Sequence, residues 1–130
     1  MTKQKKSISN ERREELLALI TELNEMLVDN KPLEAFEKFY HPDVVMQDNQ
    51  QPATIGKDAN RTREENFYGI ITELRRNIPM KVAVGENITM VEWLMDFNHK
   101  EWGTVLLHQV SVQVWEGNQI IKENFFYSLN

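Results

Sequence analysis

Apolar residues recur at helical spacing near the start of the chain, and this pattern predicts a long first helix. Its buried stripe consists of four residues spaced by three or four positions: Leu16, Ile20, Leu23 and Leu27. Ser9 or Asn10 can serve as the N-cap, and acidic residues follow in the first turn. We therefore expect the first helix to end near Val28 and residues 1–8 to form a disordered or frayed N-terminus.

A short second helix is predicted to begin at Pro32, because proline is tolerated in the first helical turn. Its buried stripe is Leu33, Phe36, Phe39 and Tyr40. His41 and Pro42 end it, since a proline restricts the residue before it to an extended conformation. A short strand over 44–46 and a polar loop over 49–56 are expected to follow.

The third helix is predicted to start at Asp58 and to end near Arg75 and Arg76, whose positive charges suit a helix C-terminus. Its inward residues are expected to be Phe67, Ile70, Ile71 and Leu74. From Met80 onward the apolar period changes from helical to alternating, which is typical of antiparallel strands. Three helices followed by such strands predict an α+β fold in one domain over residues 9–130.

The last hairpin predicts which side chains face the helices. A two-residue Gly117-Asn118 turn pairs Trp115 with Ile120 and Val112 with Glu123. The expected inner face of the penultimate strand is Leu106, His108, Val110, Val112 and Val114. The inner face of the last strand is expected to carry Ile121, Glu123, Phe125 and Tyr127. The strand that precedes these two is expected to turn Val91, Trp93, Met95 and Phe97 toward the helices. The outer face receives Trp115, Ile120 and Phe126.

Four polar residues fall on surfaces that should be apolar. His108, Glu123 and Tyr127 lie on the expected inner face, with His108 across from Tyr127, and Asn24 lies on the buried stripe of the first helix. A buried polar group costs free energy unless it finds a partner. These residues therefore indicate either an internal hydrogen-bond network or a partly hydrated cavity.

Three segments resemble the NTF2-like superfamily, in its SnoaL-like and ketosteroid-isomerase-like branch. They are "FYHPDVVMQD", "IGKDA" and "VQVWEGNQIIKENFFYS", and the resemblance extends over residues 12 to 128. It implies a cone-shaped α+β domain with three N-terminal helices packed on a curved, mainly antiparallel sheet, and a homodimer. Likeness of fold does not by itself fix activity.

The resemblance also implies roles for particular positions. The catalytic aspartate of ketosteroid-isomerase-like proteins falls on Asp48. Their oxyanion-hole tyrosine falls on Asn24, and their oxyanion-hole acid falls at or near Val110. Both oxyanion donors are therefore missing from this chain, which argues against classical steroid isomerisation.

Each candidate residue has a structural and a functional interpretation. Asp48 either ends a strand in solvent or is a partly desolvated general base. His108 and Tyr127 either bond to each other in the core or donate to a bound carbonyl oxygen. Glu123 needs a partner, which is expected to be Asn24, Arg63 or a ligand.

Our leading hypothesis is an apolar pocket that binds a small lipophilic molecule. The ligand-binding residues would be Asn24, Trp93, Leu106, Val110, Glu123 and Phe125. Chemistry, if present, would be cofactor-free proton transfer of an isomerase or cyclase type, with Asp48 as the base and His108 or Tyr127 as the donor. The competing hypothesis is a non-catalytic ligand-binding or protein-interaction domain on the same scaffold.

Composition narrows the other partners. The chain has 20 acidic against 15 basic residues, so we expect neither nucleic acid nor a membrane surface as a partner. It has no cysteine, so disulfide bonds and cysteine-ligated metals are excluded. The three histidines show no metal-ligand spacing and no glycine-rich phosphate loop is present, so no metal or cofactor is expected. A cytoplasmic location and a homodimer through the outer sheet face complete the expectations.

Overall fold

The computed structural model describes residues 2–128, with side chains described from residue 10 onward. The helices are α1 (Thr2–Val28), α2 (Pro32–Phe39) and α3 (Lys57–Gly69). The strands are β1 (Tyr40–Asp48), β2 (Thr54–Ile55), β3 (Ile71–Val84), β4 (Ile88–His99), β5 (Gly103–Glu116) and β6 (Gln119–Tyr127). The side chains of the predicted frayed segment, residues 1–8, lie outside the described part of the chain.

The six strands form one sheet in the order β2-β1-β6-β5-β4-β3. Neighbouring strands are antiparallel except β1 and β6, which run parallel. The core lies where α1 and α2 cover this sheet, and its fully buried members include Leu16, Ile20, Leu23, Phe36, Phe39, Val44 and Met46. The predicted α+β architecture, with three helices on a mainly antiparallel sheet, is confirmed.

Helix α2 ends where the sequence indicates. Pro32 occupies its first turn, and Tyr40, the residue after the helix, already has extended backbone angles (φ −102°, ψ 132°). Pro42 follows two positions later and prevents the helix from continuing. Tyr40 is therefore the first residue of β1 and not part of the helical stripe, and its buried side chain projects from the sheet.

Helix α3 is shorter than predicted. It ends at Gly69, and β3 begins at Ile71, so the expected extension to Arg75 and Arg76 is wrong. The pairing with β4 shifts between Ile71 and Glu73 and again between Leu74 and Arg76. Each shift adds a residue, so the inward positions recur every third residue and imitate helical spacing.

The β5–β6 register differs from the prediction by one residue. Trp115 pairs with Ile120 as expected, but Val114 then pairs with Lys122, so that Ile121 is an extra residue in β6. Gln113, not Val112, therefore faces Glu123. Since side chains alternate between faces, this single bulge reverses the predicted face of every β5 residue, including Trp115, relative to Glu123.

The reversal corrects several orientations. Leu106 and Val110 point away from the helices with 56% and 39% of their surfaces exposed, and His108 is exposed beside them. Trp115 and Ile120, expected on the outer face, are buried. The orientations predicted for β4 hold, because Val91, Trp93, Met95 and Phe97 are all buried.

Within the described residues, no helix combines the length and apolar character needed to cross a membrane.

Candidate functional site

A cavity of about 260 Å³ lies between the inner sheet face and the helices. Aromatic side chains form much of its wall, among them Phe36, Phe67, Tyr68, Trp93, Phe97 and Phe125. Polar side chains enter it from α1, α3, β1, β3, β5 and β6. A mostly apolar wall with a few convergent polar groups is typical of small-molecule sites.

Glu123 lies at the centre of a buried hydrogen-bond network. The Tyr40 hydroxyl donates to Glu123 Oε1, and Gln113 Nε2 donates to Glu123 Oε2 over 2.7 Å. Burial raises the pKa of Glu123 to about 7, although the hydrogen bonds from Tyr40 and Gln113 act in the opposite direction. The predicted partners Asn24 and Arg63 do not fill this role.

The orientation of Gln113 follows from two residues behind it. Trp115 Nε1 can only donate, and it donates to Thr89 Oγ1 over 2.8 Å. The Thr89 hydroxyl then donates to Gln113 Oε1 over 2.7 Å. The amide nitrogen of Gln113 must therefore point at Glu123. The two hydrogen bonds behind Gln113 thus fix it as a donor to the carboxylate.

Asp48 ends β1 at the cavity and is engaged on both oxygens. Arg63 Nη2 of α3 forms an ion pair with Asp48 Oδ1, and the Tyr127 hydroxyl donates to Asp48 Oδ2 over 3.0 Å. The Arg63 guanidinium also lies 5.1 Å from the centre of the Phe125 ring. Burial, and next the charge of Asp48, raises the pKa of Tyr127 to about 12.

Glu64 is a second carboxyl group with an unusual pKa in the cavity wall. Its side chain is 14% exposed, and Glu64 Oε1 lies 3.1 Å from Arg63 Nη1. Burial raises the pKa of Glu64 to about 7, against the opposing charge of Arg63. One turn further along α3, Tyr68 also lines the cavity, and burial followed by the charge of Glu64 raises the pKa of its hydroxyl.

The wall formed by α1 and β3 carries amide oxygens without partners. Asn77 Nδ2 donates to Leu27 O over 3.3 Å, which directs Asn77 Oδ1 away from that carbonyl. Neither Asn77 Oδ1 nor Asn24 Oδ1 has a hydrogen-bond partner among the described residues, although both atoms are buried. Both residues line the cavity, but these two oxygens are enclosed by protein atoms, so they are unsatisfied acceptors within the wall.

The cavity brings together six residues singled out from the sequence: Asn24, Asp48, Trp93, Glu123, Phe125 and Tyr127. Leu106, His108 and Val110 do not line it, because the β6 bulge turns them to the other face of the sheet. The expected pairing of His108 with Tyr127 is therefore wrong, and Gln109 occupies the position opposite Tyr127.

Sequence reasoning missed Glu64, although the pattern of α3 contains a signal for it. Asn60 is fully buried and Phe67 is half-buried, and both lie on the same helical face as Glu64 at i, i+4 and i+7. A charged residue between two inward residues of one stripe indicates a cavity or a buried partner. The role of Tyr40 was missed because the residue was assigned to a helix.

No group of three or more metal-ligating side chains is placed to hold an ion in the part of the chain that the structure describes. The polar groups of the cavity are carboxyl, phenol, amide and guanidinium groups. They can accept, donate and exchange protons with a bound molecule.

The family model for a SnoaL-like domain matches residues 18–127. A comparison with curated proteins gives no match. Solved structures with the same fold include a Mesorhizobium loti protein described as a SnoaL-like polyketide cyclase, at TM-score 0.76 and 18% identity over 86% of this chain and 98% of that one.

Two further structures show the range of this fold. A Xanthomonas campestris protein described as a polyketide cyclase has a TM-score of 0.74 and 19% identity, over 90% of this chain and 93% of that one. A Catenulispora acidiphila protein with a ketosteroid-isomerase-like fold, in complex with trimethylamine, has a TM-score of 0.70 and 13% identity over 85% of each chain.

Proposed function

The chain belongs to the SnoaL-like domain family, and from this premise we propose that its cavity binds a small lipophilic molecule and transfers protons on it without a cofactor, as an isomerase or a cyclase does. The observation that carries the proposal is Glu64, a carboxyl group with a pKa of about 7 facing a largely aromatic cavity. A general base is most effective when its pKa lies near the working pH.

Glu64 is the preferred base because one of its oxygens is unpaired. Glu64 Oε1 meets Arg63, whereas Glu64 Oε2 has no hydrogen-bond donor among the described residues. Both oxygens of Asp48, in contrast, already accept hydrogen bonds. Asp48 then acts by holding Arg63 and Tyr127 in position, and it is the alternative base.

Tyr68 is the proposed donor to a substrate oxygen. It lies four residues after Glu64 on α3, so both side chains share one helical face. Its hydroxyl donates no hydrogen bond to any described residue and lies in the cavity wall. A phenol that stays protonated at neutral pH can stabilise a developing enolate.

The experiment measures proton exchange, which requires no knowledge of the natural substrate. The lipophilic ketone 2-tetralone is incubated in D₂O with the protein, and loss of its α-proton signals is followed by NMR. We expect wild-type protein to accelerate exchange and Glu64→Gln to remove about 10²- to 10⁴-fold of that acceleration. Glu65→Gln is the matched control, because Glu65 is the exposed neighbour of Glu64.

Two other outcomes assign the function differently. Loss of exchange in Asp48→Asn but not in Glu64→Gln makes Asp48 the base. A rise in melting temperature with 2-tetralone, without any acceleration of exchange, favours the non-catalytic ligand-binding domain instead.

We also propose a homodimer through the outer sheet face. Exposed apolar residues cluster on this face, namely Met90, Leu106, Val110 and Phe126. Opposite charges flank them on neighbouring strands, as in the Lys81–Glu92 and Arg76–Asp96 pairs. A second copy related by a two-fold axis can therefore meet both an apolar centre and a rim of complementary charge.

A further inference from the structure

The charges of the cavity wall do not balance. Arg63 lines the cavity together with three carboxyl groups, those of Asp48, Glu64 and Glu123. Its guanidinium contacts Asp48 and Glu64 and lies over the Phe125 ring. Above about pH 7, where Glu64 is ionised, one cation shared between two carboxylates leaves a net negative charge even before Glu123 is counted.

Glu123 is supplied with hydrogen-bond donors that partly oppose the effect of burial on its pKa. Both carboxylate oxygens accept hydrogen bonds, one from Tyr40 and one from Gln113. The Trp115 and Thr89 hydrogen bonds keep the Gln113 amide nitrogen directed at Glu123. The ionised carboxylate therefore keeps a fixed donor from Gln113, whereas a protonated Glu123 would donate to the Tyr40 hydroxyl.

The wall formed by α1 and β3 contains amide oxygens that lack partners among the described residues. Three buried side-chain atoms have no hydrogen-bond partner in the described part of the chain, and all three are amide oxygens. Two of them, Asn24 Oδ1 and Asn77 Oδ1, belong to cavity residues. Both oxygens are enclosed by protein atoms, so the ligand's hydrogen-bond donors are assigned to the carboxylates.

From this arrangement, and resting on the small-molecule function proposed above, we propose that the ligand is a small lipophilic amine that binds in its protonated form. Its ammonium group lies against Glu64 and Glu123, and its apolar body lies against Trp93 and Phe36. Glu64 Oε2 accepts one ammonium hydrogen, while Glu123 contributes mainly its charge.

The walls suit such a ligand in two further respects. Aromatic rings attract cations electrostatically, so Trp93, Tyr40 and Tyr68 stabilise an ammonium group as well as an apolar body. The cavity volume of about 260 Å³ falls below the roughly 300–1,000 Å³ of sites for drug-sized ligands. The expected ligand therefore contains a single ring or a short chain.

The test compares three probes of similar size that differ in charge: 2-phenylethylamine, 2-phenylethanol and 3-phenylpropanoate. Binding to the purified full chain is measured by isothermal titration calorimetry at pH 8. We expect the amine to bind about tenfold or more tightly than the alcohol, since hydrogen bonds to charged groups are the stronger ones. The carboxylate should bind more weakly than the alcohol.

Variants then locate the cation. Glu64→Gln and Glu123→Gln each remove a charge with little change of shape, and each should weaken amine binding by about tenfold while leaving 2-phenylethanol binding within about twofold. Glu65→Gln should bind all three probes as wild type does. Because Glu123→Gln disturbs a buried network, Glu64→Gln provides the decisive comparison if the Glu123 variant fails to fold.

A pH series on the wild-type protein needs no variant. Amine affinity should rise between pH 6 and 8 as Glu64 and Glu123 lose protons, whereas 2-phenylethanol affinity should not. Glu64 and Glu123 face each other, and the other titratable and charged groups near them are Tyr40, Asp48, Arg63 and Tyr68. His99 also lines the cavity and accepts backbone hydrogen bonds from Glu101 and Trp102 at Nδ1.

The outcomes separate the two proposals. Alcohol binding as tight as amine binding, or amine binding unchanged in Glu64→Gln, overturns the amine assignment and leaves the lipophilic pocket intact. Failure of all three probes and of 2-tetralone to bind overturns both.

Discussion

Gln113 and Glu123 face each other across β5 and β6, and Gln113 Nε2 lies 2.7 Å from Glu123 Oε2. The pair joins the cavity to the packed core behind it, because Gln113 is itself oriented by Thr89 and Thr89 by Trp115. A buried polar network of this kind stabilises a fold only when each member is satisfied. The hydrogen bonds of this network therefore contribute to the stability of the fold and to the pKa of Glu123 in the cavity.

Replacing Gln113 with leucine removes one donor from Glu123. We expect Gln113→Leu to lower the free energy of unfolding by about 1–3 kcal/mol at pH 8, since a buried carboxylate then loses a hydrogen bond. At pH 5 the loss should be smaller, because a protonated Glu123 needs that donor less. Urea denaturation at the two pH values measures both effects.

Gln50→Leu is the control for this change, since Gln50 is exposed in the turn after β1. It should alter the free energy of unfolding by no more than about 0.5 kcal/mol. Equal losses for Gln113→Leu at pH 5 and pH 8 would show that packing alone, and not the charge of Glu123, accounts for the effect.

Two raised pKa values make stability depend on pH near neutrality. Glu64 and Glu123 have a pKa of about 7 in the folded protein, against 4.5 for an ordinary glutamate in water. The folded state therefore binds more protons than the unfolded state between these values, and stability falls as the pH rises from about 4.5 to 7. The expected loss is at most about 1.4 kcal/mol per pH unit for each group. Urea midpoints between pH 4.5 and 8 measure it.

Glu64→Gln should reduce this slope, whereas Glu65→Gln should leave it unchanged. Glu37 and Asp96 do not interfere, because hydrogen bonds from Arg61 and Arg75, respectively, lower their pKa values and place their effects at more acidic pH. A wild-type midpoint that stays constant from pH 4.5 to 7 would contradict the assignment of raised pKa values to the two cavity carboxyls.

The orientation of β4, and of β6 from Glu123 onward, could be predicted from alternation of apolar residues, and β5 shows where that reasoning fails. One extra residue, Ile121, separates the paired positions Trp115–Ile120 and Val114–Lys122. Nothing in the apolar pattern marks this bulge, because Ile120 and Ile121 are equally suited to either face. Because of this one irregularity, Leu106, a predicted pocket residue, is exposed on the outer face, and its neighbour Leu107 is buried instead.

The start of β3 was missed for a related reason. Its half-buried residues Ile71, Leu74 and Asn77 are spaced by three, as on a helix. Two bulges produce that spacing, and pairing with β4 stabilises a strand that local periodicity does not indicate. Pro79 was the available signal, because a proline in a strand is tolerated at a sheet edge and β3 is an edge strand.

Six of the predicted site residues line the cavity, because their positions depend on elements that the pattern identified correctly. Asn24 follows from the stripe of α1, and Glu123 follows from the alternation within β6. The ion pair between Asp48 and Arg63 joins residues 15 positions apart, and the Tyr40–Glu123 hydrogen bond joins residues 83 positions apart. Such contacts depend on tertiary packing, which periodicity does not specify.

Asn24 should limit the stability of the ligand-free protein. It is only 6% exposed, and its unpaired Oδ1 lies on the same helical stripe as Ile20, Leu23 and Leu27. We expect Asn24→Leu to raise the free energy of unfolding by about 1 kcal/mol, because it removes an unsatisfied polar group from an apolar stripe.

Asn10→Leu is the matched control on the exposed face of α1, and it should change stability by no more than about 0.5 kcal/mol. A clear loss of stability in Asn24→Leu would mean that the Asn24 amide is satisfied within the folded protein, for example by ordered water. Chemical denaturation of the two variants distinguishes these cases.

The proposed dimer can be tested on the outer face of β5. Leu106 is 56% exposed there, on the same strand face as the exposed Val110, whose partner on β6 is the exposed Phe126. We expect Leu106→Lys to convert a dimer of twice the 15.4 kDa chain mass into a monomer, because burying an unpaired charge in an apolar interface costs far more than a small interface provides. Light scattering coupled to size exclusion measures the mass.

Ile55→Lys is the control, since Ile55 is 74% exposed on β2 at the opposite edge of the sheet, and this variant should keep the dimer mass. A wild-type chain that runs as a monomer, or a Leu106→Lys variant that stays dimeric, would place the interface elsewhere.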